Sequence, residues 1–385
     1  MLKKILILAV ITLAACSEKP VSWISTTNDE RWTQQSNLAL KDADSNAPFD
    51  LAVTGDTAQI IDGFGGCFNE LGWDALQMLD KQTRDSILQE LFVPEKGFNF
   101  TICRMPMGAN DYSRRFYSYN ETPGDVAMNT FSIAHDTIGL LPYIKEALKY
   151  NPKLHVWASP WCPPSWMKTN NHYACRRDTV QNDLPESSQG EEGITQFIMK
   201  PAYLQAYALY FSKFVEAYRA EGINIYAVHV QNEPNSCQVF PSCIWNAASL
   251  RDFIGKYLGP QFEKQGLNTD IWLGTIERPS VEKIDTVLTD SLAAKYVKGV
   301  GFQWAGKGAI PGVHKKYPDI KLMQTETECG DGSNDWNAAE HTWKLILHYL
   351  NNGANAYMYW NIILDETGKS QWGWKQNSMI SVDSK

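Results

Sequence analysis

Two glutamates in this sequence stand where carboxylates do chemistry. The first closes the run Val228-His229-Val230-Gln231-Asn232-Glu233-Pro234, a β-branched stretch ending in an Asn-Glu-Pro corner. Proline restricts the backbone at that corner, and Asn232 offers an amide donor on the same rim. The second closes Ile320-Lys321-Leu322-Met323-Gln324-Thr325-Glu326, again at the end of a strand-like run. A lone glutamate at a strand tip more often serves as a salt-bridge partner or a helix cap. Two at matching tips suit a working pair. One carboxylate attacks an acetal carbon, while the other protonates the leaving oxygen and then deprotonates the incoming water. A spacing of about 5–5.5 Å suits double displacement with retained configuration. Glu328 is a rival for the attacking role, but it falls past the expected strand tip.

Those tips must belong to one sheet. After about residue 58, short β-rich runs alternate with longer helical patterns, which indicates a parallel sheet with crossover helices. Strands are expected at 59–64, 98–105, 154–159, 225–230, 270–274, 299–304, 320–325 and 356–360. Helical spacing is clear at 203–219, 250–265 and 337–350. Eight strands with intervening helices predict an α/β fold, a (β/α)8 TIM barrel of roughly 250 residues plus loop insertions. The competing doubly wound sheet wants a Gly-rich phosphate turn, and Gly63-Phe64-Gly65-Gly66 does not satisfy G-x-G-x-x-G. In a barrel the fourth and seventh strand tips face each other across the mouth. Long loops follow the third strand (160–199) and the fourth (233–248), on the face where barrels build active sites.

Bulk properties narrow the function. A net charge of -8 without a long basic run excludes an electrostatic footprint for nucleic acid. Fourteen Trp and seventeen Tyr would supply stacking faces for sugars, though most rings in a chain this size fill the core. Lys3, Lys4 and a short apolar run ending in Leu13-Ala14-Ala15-Cys16 describe an export signal over 1–15. Leu-Ala-Ala-Cys also resembles a lipobox, so Cys16 is expected to carry lipid and anchor the protein at the bacterial cell envelope. Residues 16–58 read as a linker with short strands, 59–377 as the barrel and 378–385 as the start of something further. Seven cysteines remain after Cys16; Cys162 with Cys175, and Cys237 with Cys243, lie close enough in sequence to pair. The histidines show no metal-ligand spacing. Two carboxylates and water suffice, so neither metal nor organic cofactor is expected.

From about residue 58 onward the chain resembles glycoside hydrolase family 30, specifically its glucosylceramidase-like branch. The segments that carry the resemblance are Asp62-Gly63-Phe64-Gly65-Gly66, Arg104-Met105-Pro106-Met107, Ala158-Ser159-Pro160-Trp161, Gln231-Asn232-Glu233-Pro234, Arg251-Asp252-Phe253-Ile254 and Tyr359-Trp360-Asn361. The resemblance implies a retaining β-glycosidase acting on β-linked glucosides, with Glu233 as acid/base and Glu326 as nucleophile. It implies that Arg104 steadies the nucleophile's carboxylate, that Asn232 meets a sugar 2-hydroxyl, and that Asp111, Trp161, Trp304 and Trp360 form the sugar subsite. An endo-β-1,6-glucanase or a xylan-directed enzyme shares this fold and both acids. A lipid-anchored carbohydrate-binding protein without catalysis is the reading from another class. Two departures stand out. Gln303 occupies a place before Trp304 where the pattern carries histidine, and the family's accessory β-sandwich is largely missing, since only 378–385 falls in its expected place.

Overall fold

Short strands rich in Val, Ile and Trp, each followed by amphipathic helix, close on themselves as the alternation requires. The computed structural model describes residues 21–38, 54–326 and 333–385. The export signal, Cys16, Glu328 and Cys329 therefore lie outside the described residues. Residues 1–56 and 57–385 form separate compact units. In the first, Ile24–Ser25 and Thr33–Gln34 make a small antiparallel pair.

The second unit is the barrel. Its strands are β1 (Gly63–Cys67), β2 (Ile102–Pro106), β3 (His155–Ser159), β4 (Ile225–His229), β5 (Asp270–Ile276), β6 (Val297–Gln303), β7 (Lys321–Glu326) and β8 (Ala356–Asp365). Each pairs in parallel with the next, and β8 pairs with both β7 and β1, which closes the ring. A ninth strand, β9 (Ser378–Val382), lies parallel to the outer half of β8, with Asn361 opposite Ser378 and Asp365 opposite Val382. The last residues thus extend the barrel's own sheet. Inside the ring, Ile102, Trp157, Ala227, Trp272, Met323, Ala356 and Met358 fill the lumen. It is a packed core, as a barrel of this size requires. His229 lies among them, 4.1 Å from the Trp157 ring and 5.0 Å from that of Trp272. Burial drives its pKa down to about 3, so it is a neutral packing residue.

Most strand expectations hold to within a few residues, and two differences have physical causes. The first strand runs 63–67 rather than 59–64, and its Gly-Gly pair lies inside the strand. A Cβ at Gly65 would fall 1.7 Å from the Ile102 carbonyl oxygen, so β1 and β2 can approach only through glycine. The sixth strand stops at Gln303, because Trp304 takes φ 48° and opens a short turn. The helical stretch 250–265 is interrupted by a π-helical turn at Ile254–Leu258. There Gly255 packs against the Ala293 backbone and Gly259 against the Tyr296 ring.

The long loops are ordered by buried polar anchors. Between β2 and β3, Asp136 accepts hydroxyls from Tyr117, Tyr119 and Tyr218 at 3.0, 2.7 and 2.6 Å. Replacing Gly65 by alanine is expected to destabilise the barrel by about 3 kcal/mol or more, since backbone would have to move. Denaturant unfolding checks it; a variant as stable as the parent contradicts the close approach of β1 and β2.

Candidate active site

The barrel's C-terminal mouth is organised by one cation. Arg104, in the middle of β2, is fully buried. Its guanidinium lies 4.2 Å from the Trp161 ring centroid, 5.0 Å from Trp360 and 5.1 Å from Trp157. Its N–H groups reach the Ser159 hydroxyl at 2.9 Å, the Asn232 side-chain oxygen at 2.6 Å and Glu326 Oε2 at 3.0 Å. Strands two, three, four and seven are thereby tied to a single planar fork.

Glu326 ends β7 and accepts from donors on two sides. Oε2 takes Arg104 and the Gln303 amide at 3.2 Å, and Oε1 takes the Trp304 indole N–H at 3.1 Å. Burial pushes its carboxyl well above the ordinary range; Arg104 pulls it down, and the neighbouring Glu233 and Asp111 push it up again. Glu233 follows β4 with φ 43°, a left-handed conformation unusual for a side chain of this size. The fold holds it there. Asn232 N–H donates to the Pro160 carbonyl at 2.8 Å, and Glu233 N–H to that of Thr275 at 3.3 Å.

Gln303 joins the two acids. Its Nε2 donates to Glu233 Oε1 at 3.0 Å and to Glu326 Oε2 at 3.2 Å, with Asn232 Oδ1 at 3.3 Å. The two carboxylate contacts cap the gap between those oxygens at about 6 Å. Its own oxygen accepts the Thr325 hydroxyl at 3.0 Å, which fixes the amide's orientation.

A cavity of about 270 Å³ opens above this pair. Of the expected residues, Asp111, Trp161, Asn232, Glu233, Trp304 and Glu326 line it. Arg104 and Trp360 do not; both are fully buried below it, where the cation needs the indole faces. Asn232 spends its oxygen on Arg104 and on the Thr275 hydroxyl at 2.9 Å, leaving its NH2 end for a ligand. Asp111 Oδ1 is buried with no hydrogen-bond partner, and burial followed by the charge of Glu233 raises its carboxyl to about 7.

Several lining residues escaped the sequence reading: Gln238, Phe240, Glu277, Arg278, Trp374 and Gln376. Gln238 donates to Glu233 Oε2 at 3.3 Å. Trp374, from the loop before β9, faces Phe240 at 6.3 Å and adds an aromatic wall. Glu277 just past the tip of β5 accepts from Asn235 N–H at 2.8 Å and the Ser236 hydroxyl at 2.9 Å, bracing the turn that carries Glu233. The position of Glu277 in Thr275-Ile276-Glu277-Arg278, another acid closing an apolar strand, was the available signal.

The cysteines also sort differently from expectation. Cys67, Cys103, Cys162, Cys175, Cys237 and Cys243 are all free thiols. Cys175 meets Cys237 rather than Cys162, because the loops after β3 and β4 lie side by side.

Comparisons with known proteins agree with the fold. The model of the glycosyl hydrolase family 30 TIM-barrel domain matches residues 61–382. A Caenorhabditis elegans relative, named provisionally as glucosylceramidase 1, is 33% identical over 333 residues, covering 82% of this chain and 60% of its own length. The endo-1,6-β-D-glucanase of Neurospora crassa is 29% identical over 313 residues, covering 78% of this chain and 60% of its own. The solved structure of the endo-β1,6-glucanase BT3312 superposes with a TM-score of 0.77 at 27% identity, over 93% of this chain and 77% of that one. The chain spans about 60% of the length of these curated relatives.

The buried acids predict a pH-dependent stability. Burial, with the charge of Glu233, raises Glu277 from 4.5 to about 7. The unfolded chain then loses this proton first, so stability falls as pH rises from about 4.5 to 7, by at most about 3 kcal/mol for this group. Asp111 and Asp136 act with the same sign. Glu277→Gln is expected to flatten the decline in melting temperature between pH 5 and 8. An unchanged slope would show that Glu277 is ionised throughout that range.

Proposed function

The chain belongs to glycosyl hydrolase family 30, and from that premise we propose that it hydrolyses β-linked glucosides by double displacement. Glu326 attacks the anomeric carbon and Glu233 serves as acid and then base. The observation that supports this reading is the single Gln303 amide shared by both carboxylates, which holds their nearest oxygens within about 6 Å of each other, in keeping with the close pair of a retaining enzyme. The wider gap of roughly 6.5–9.5 Å leaves room for a water in inverting enzymes.

The roles follow from the donors. Glu326 is met by Arg104, Trp304 and Gln303, all of which can only donate there, so the anion is the form they favour. Glu233 meets two neutral amides and faces the cavity, which leaves it the exchange of protons with leaving group and water. Asn232's NH2 is placed for the 2-hydroxyl, a contact that strengthens as the oxocarbenium develops. Asp111 supplies an acceptor for another hydroxyl, and Trp161 and Trp304 supply ring faces. No step calls for a metal or an organic cofactor.

The aromatic wall of Phe240 and Trp374 favours keeping a second reading, in which a further sugar stacks there and the substrate is a β-1,6-glucan. Product size separates the two: glucose alone from an exo-acting glucosidase, oligosaccharides from an endo-acting glucanase. We carry forward as well the proposal that Cys16 is lipidated at the cell envelope. Palmitate labelling that persists in Cys16→Ala would rule it out.

Aryl β-glucoside hydrolysis tests the assignment. Glu326→Gly and Glu233→Gly are each expected to lose at least about a thousandfold in activity. Azide should rescue both, giving the α-glucosyl azide from the first and the β-glucosyl azide from the second. Exchanged products would exchange the two roles, and a parent that binds sugar without cleaving any β-glycoside would sink the enzyme reading. The raised Glu326 carboxyl sets the acid limb of kcat/KM above the ordinary glutamate value of 4.5, because the nucleophile must be ionised to attack. A limb at or below 4.5 would contradict it.

A further inference from the structure

The two oxygens of Glu233 have different surroundings. Oε1 takes the Gln303 amide at 3.0 Å, and that amide is oriented by the Thr325 hydroxyl on its own oxygen. Oε2 takes Gln238 Nε2 at 3.3 Å. A protonated carboxyl keeps one oxygen as an acceptor and makes the other a donor. The fixed donor on Oε1 makes that oxygen the acceptor, so the acid's proton belongs on Oε2. Because Gln238 turns its NH2 end to Oε2, it offers that proton no acceptor. The proton is left for a ligand in the cavity that both residues line.

Gln238 is only partly buried, and its place is set through its backbone by the loop after β3. Its carbonyl accepts the N–H groups of Cys175 and Arg176 at 3.0 and 2.9 Å, and its N–H donates to the Ser242 hydroxyl at 3.3 Å. Ser242 is tied in turn. Its N–H donates to the Tyr173 carbonyl at 3.0 Å, and its own carbonyl accepts the Lys168 ammonium at 2.7 Å. Lys168, 1% exposed, also donates to the carbonyls of Tyr173 and Ala174 at 3.0 and 3.2 Å. A buried ammonium needs such acceptors. By drawing them from both loops, it fixes how the loops after β3 and β4 meet, and with them the position of Gln238.

We propose that Gln238 is a positioning residue for proton transfer, whose N–H steadies the negative charge that appears on Glu233 Oε2 when the leaving group takes the proton; this rests on the acid/base role given to Glu233 above. In the first step a Glu326 oxygen bonds to the anomeric carbon. The bond from that carbon to the leaving oxygen breaks with its electron pair on oxygen, and that oxygen takes the Oε2 proton. Charge then builds on Oε2 with the Gln238 N–H already facing it. A hydrogen bond to an ionised acceptor is roughly twice as strong as a neutral one. The gain therefore falls on the transition state rather than the ground state, the condition for raising a rate. In the second step the oxygen of water attacks the same carbon and Oε2 takes one of its protons. The bond to Glu326 breaks, and its electron pair returns to that carboxylate.

The leaving group supplies the test. For the full chain, kcat/KM is compared on a methyl β-glucoside, whose alkoxide needs a proton to leave, and on a dinitrophenyl β-glucoside, whose phenolate does not. If the parent cleaves only glucans, the same two groups are carried on the β-1,6-linked disaccharide. Gln238→Met keeps the length of the side chain and removes its N–H. Its loss is expected to be at least about tenfold greater on the methyl glycoside than on the dinitrophenyl one, with the parent's melting temperature. Ser242→Ala, which loosens Gln238 from outside the cavity, should show the same preference in smaller measure. Equal losses on both substrates, or parent-like rates on both, in Gln238→Met would overturn the assistance to proton transfer. A preference in Gln238→Met that is absent from Ser242→Ala would overturn the positioning by the loops. A parent inert toward every β-glycoside would remove the glycosidase reading and this proposal with it, so the parent alone tells the two failures apart.

Discussion

The mouth of this barrel depends on keeping one guanidinium charged without water. Arg104 has lost all its exposure, a cost of several kcal/mol unless the charge is met on every side. It is met by a carboxylate at the rim, two oxygens in its plane, and three indole faces within about 5 Å. Because those partners come from different strands, the interaction that solvates the arginine also sets the spacing of the strand tips. Removing the Glu326 carboxylate would leave the others serving a charge that is no longer balanced.

Much of this was legible in the sequence, though for uneven reasons. Glu233 and Glu326 stood out because a strand's end is visible as the end of an apolar run, and both acids occupy such ends. Trp161 and Trp360 were expected together at the sugar, yet only Trp161 lines the cavity. An aromatic residue at a strand tip can face a ligand or a cation, and sequence does not distinguish the two. Gln303 and Glu277 were harder to see. Each matters through a partner more than forty residues away in the chain, which neither the departure before Trp304 nor an acid at the end of the fifth strand discloses. The first strand was placed too early because glycine has poor strand propensity, while the close approach of β1 and β2 admits nothing larger.

Two residues of the site hold left-handed backbone, Glu233 and Trp304. Such conformations cost on the order of 1–3 kcal/mol each and persist only where surrounding contacts determine them. Here the contacts are visible. The Glu233 turn is held by Pro160, Thr275 and the carboxylate of Glu277, and Trp304 by its bond to Glu326. Both residues so held line the cavity. Stability is given up at the tips and recovered in the packed lumen below.

The Gln303 amide has one more consequence. Arginine, indole, amide and hydroxyl, the groups that hold the two acids, all keep the same number of protons over any pH at which the fold survives. A histidine in that bridge would add a titrating site that changes charge near neutrality. With an amide instead, the bridge is electrically constant. Among the described residues that line the cavity, the carboxyls are those of Asp111, Glu233, Glu277 and Glu326. The mouth is in this sense, among the described residues, a small proton reservoir with inert walls, and those acids are where it exchanges protons with a ligand or with water.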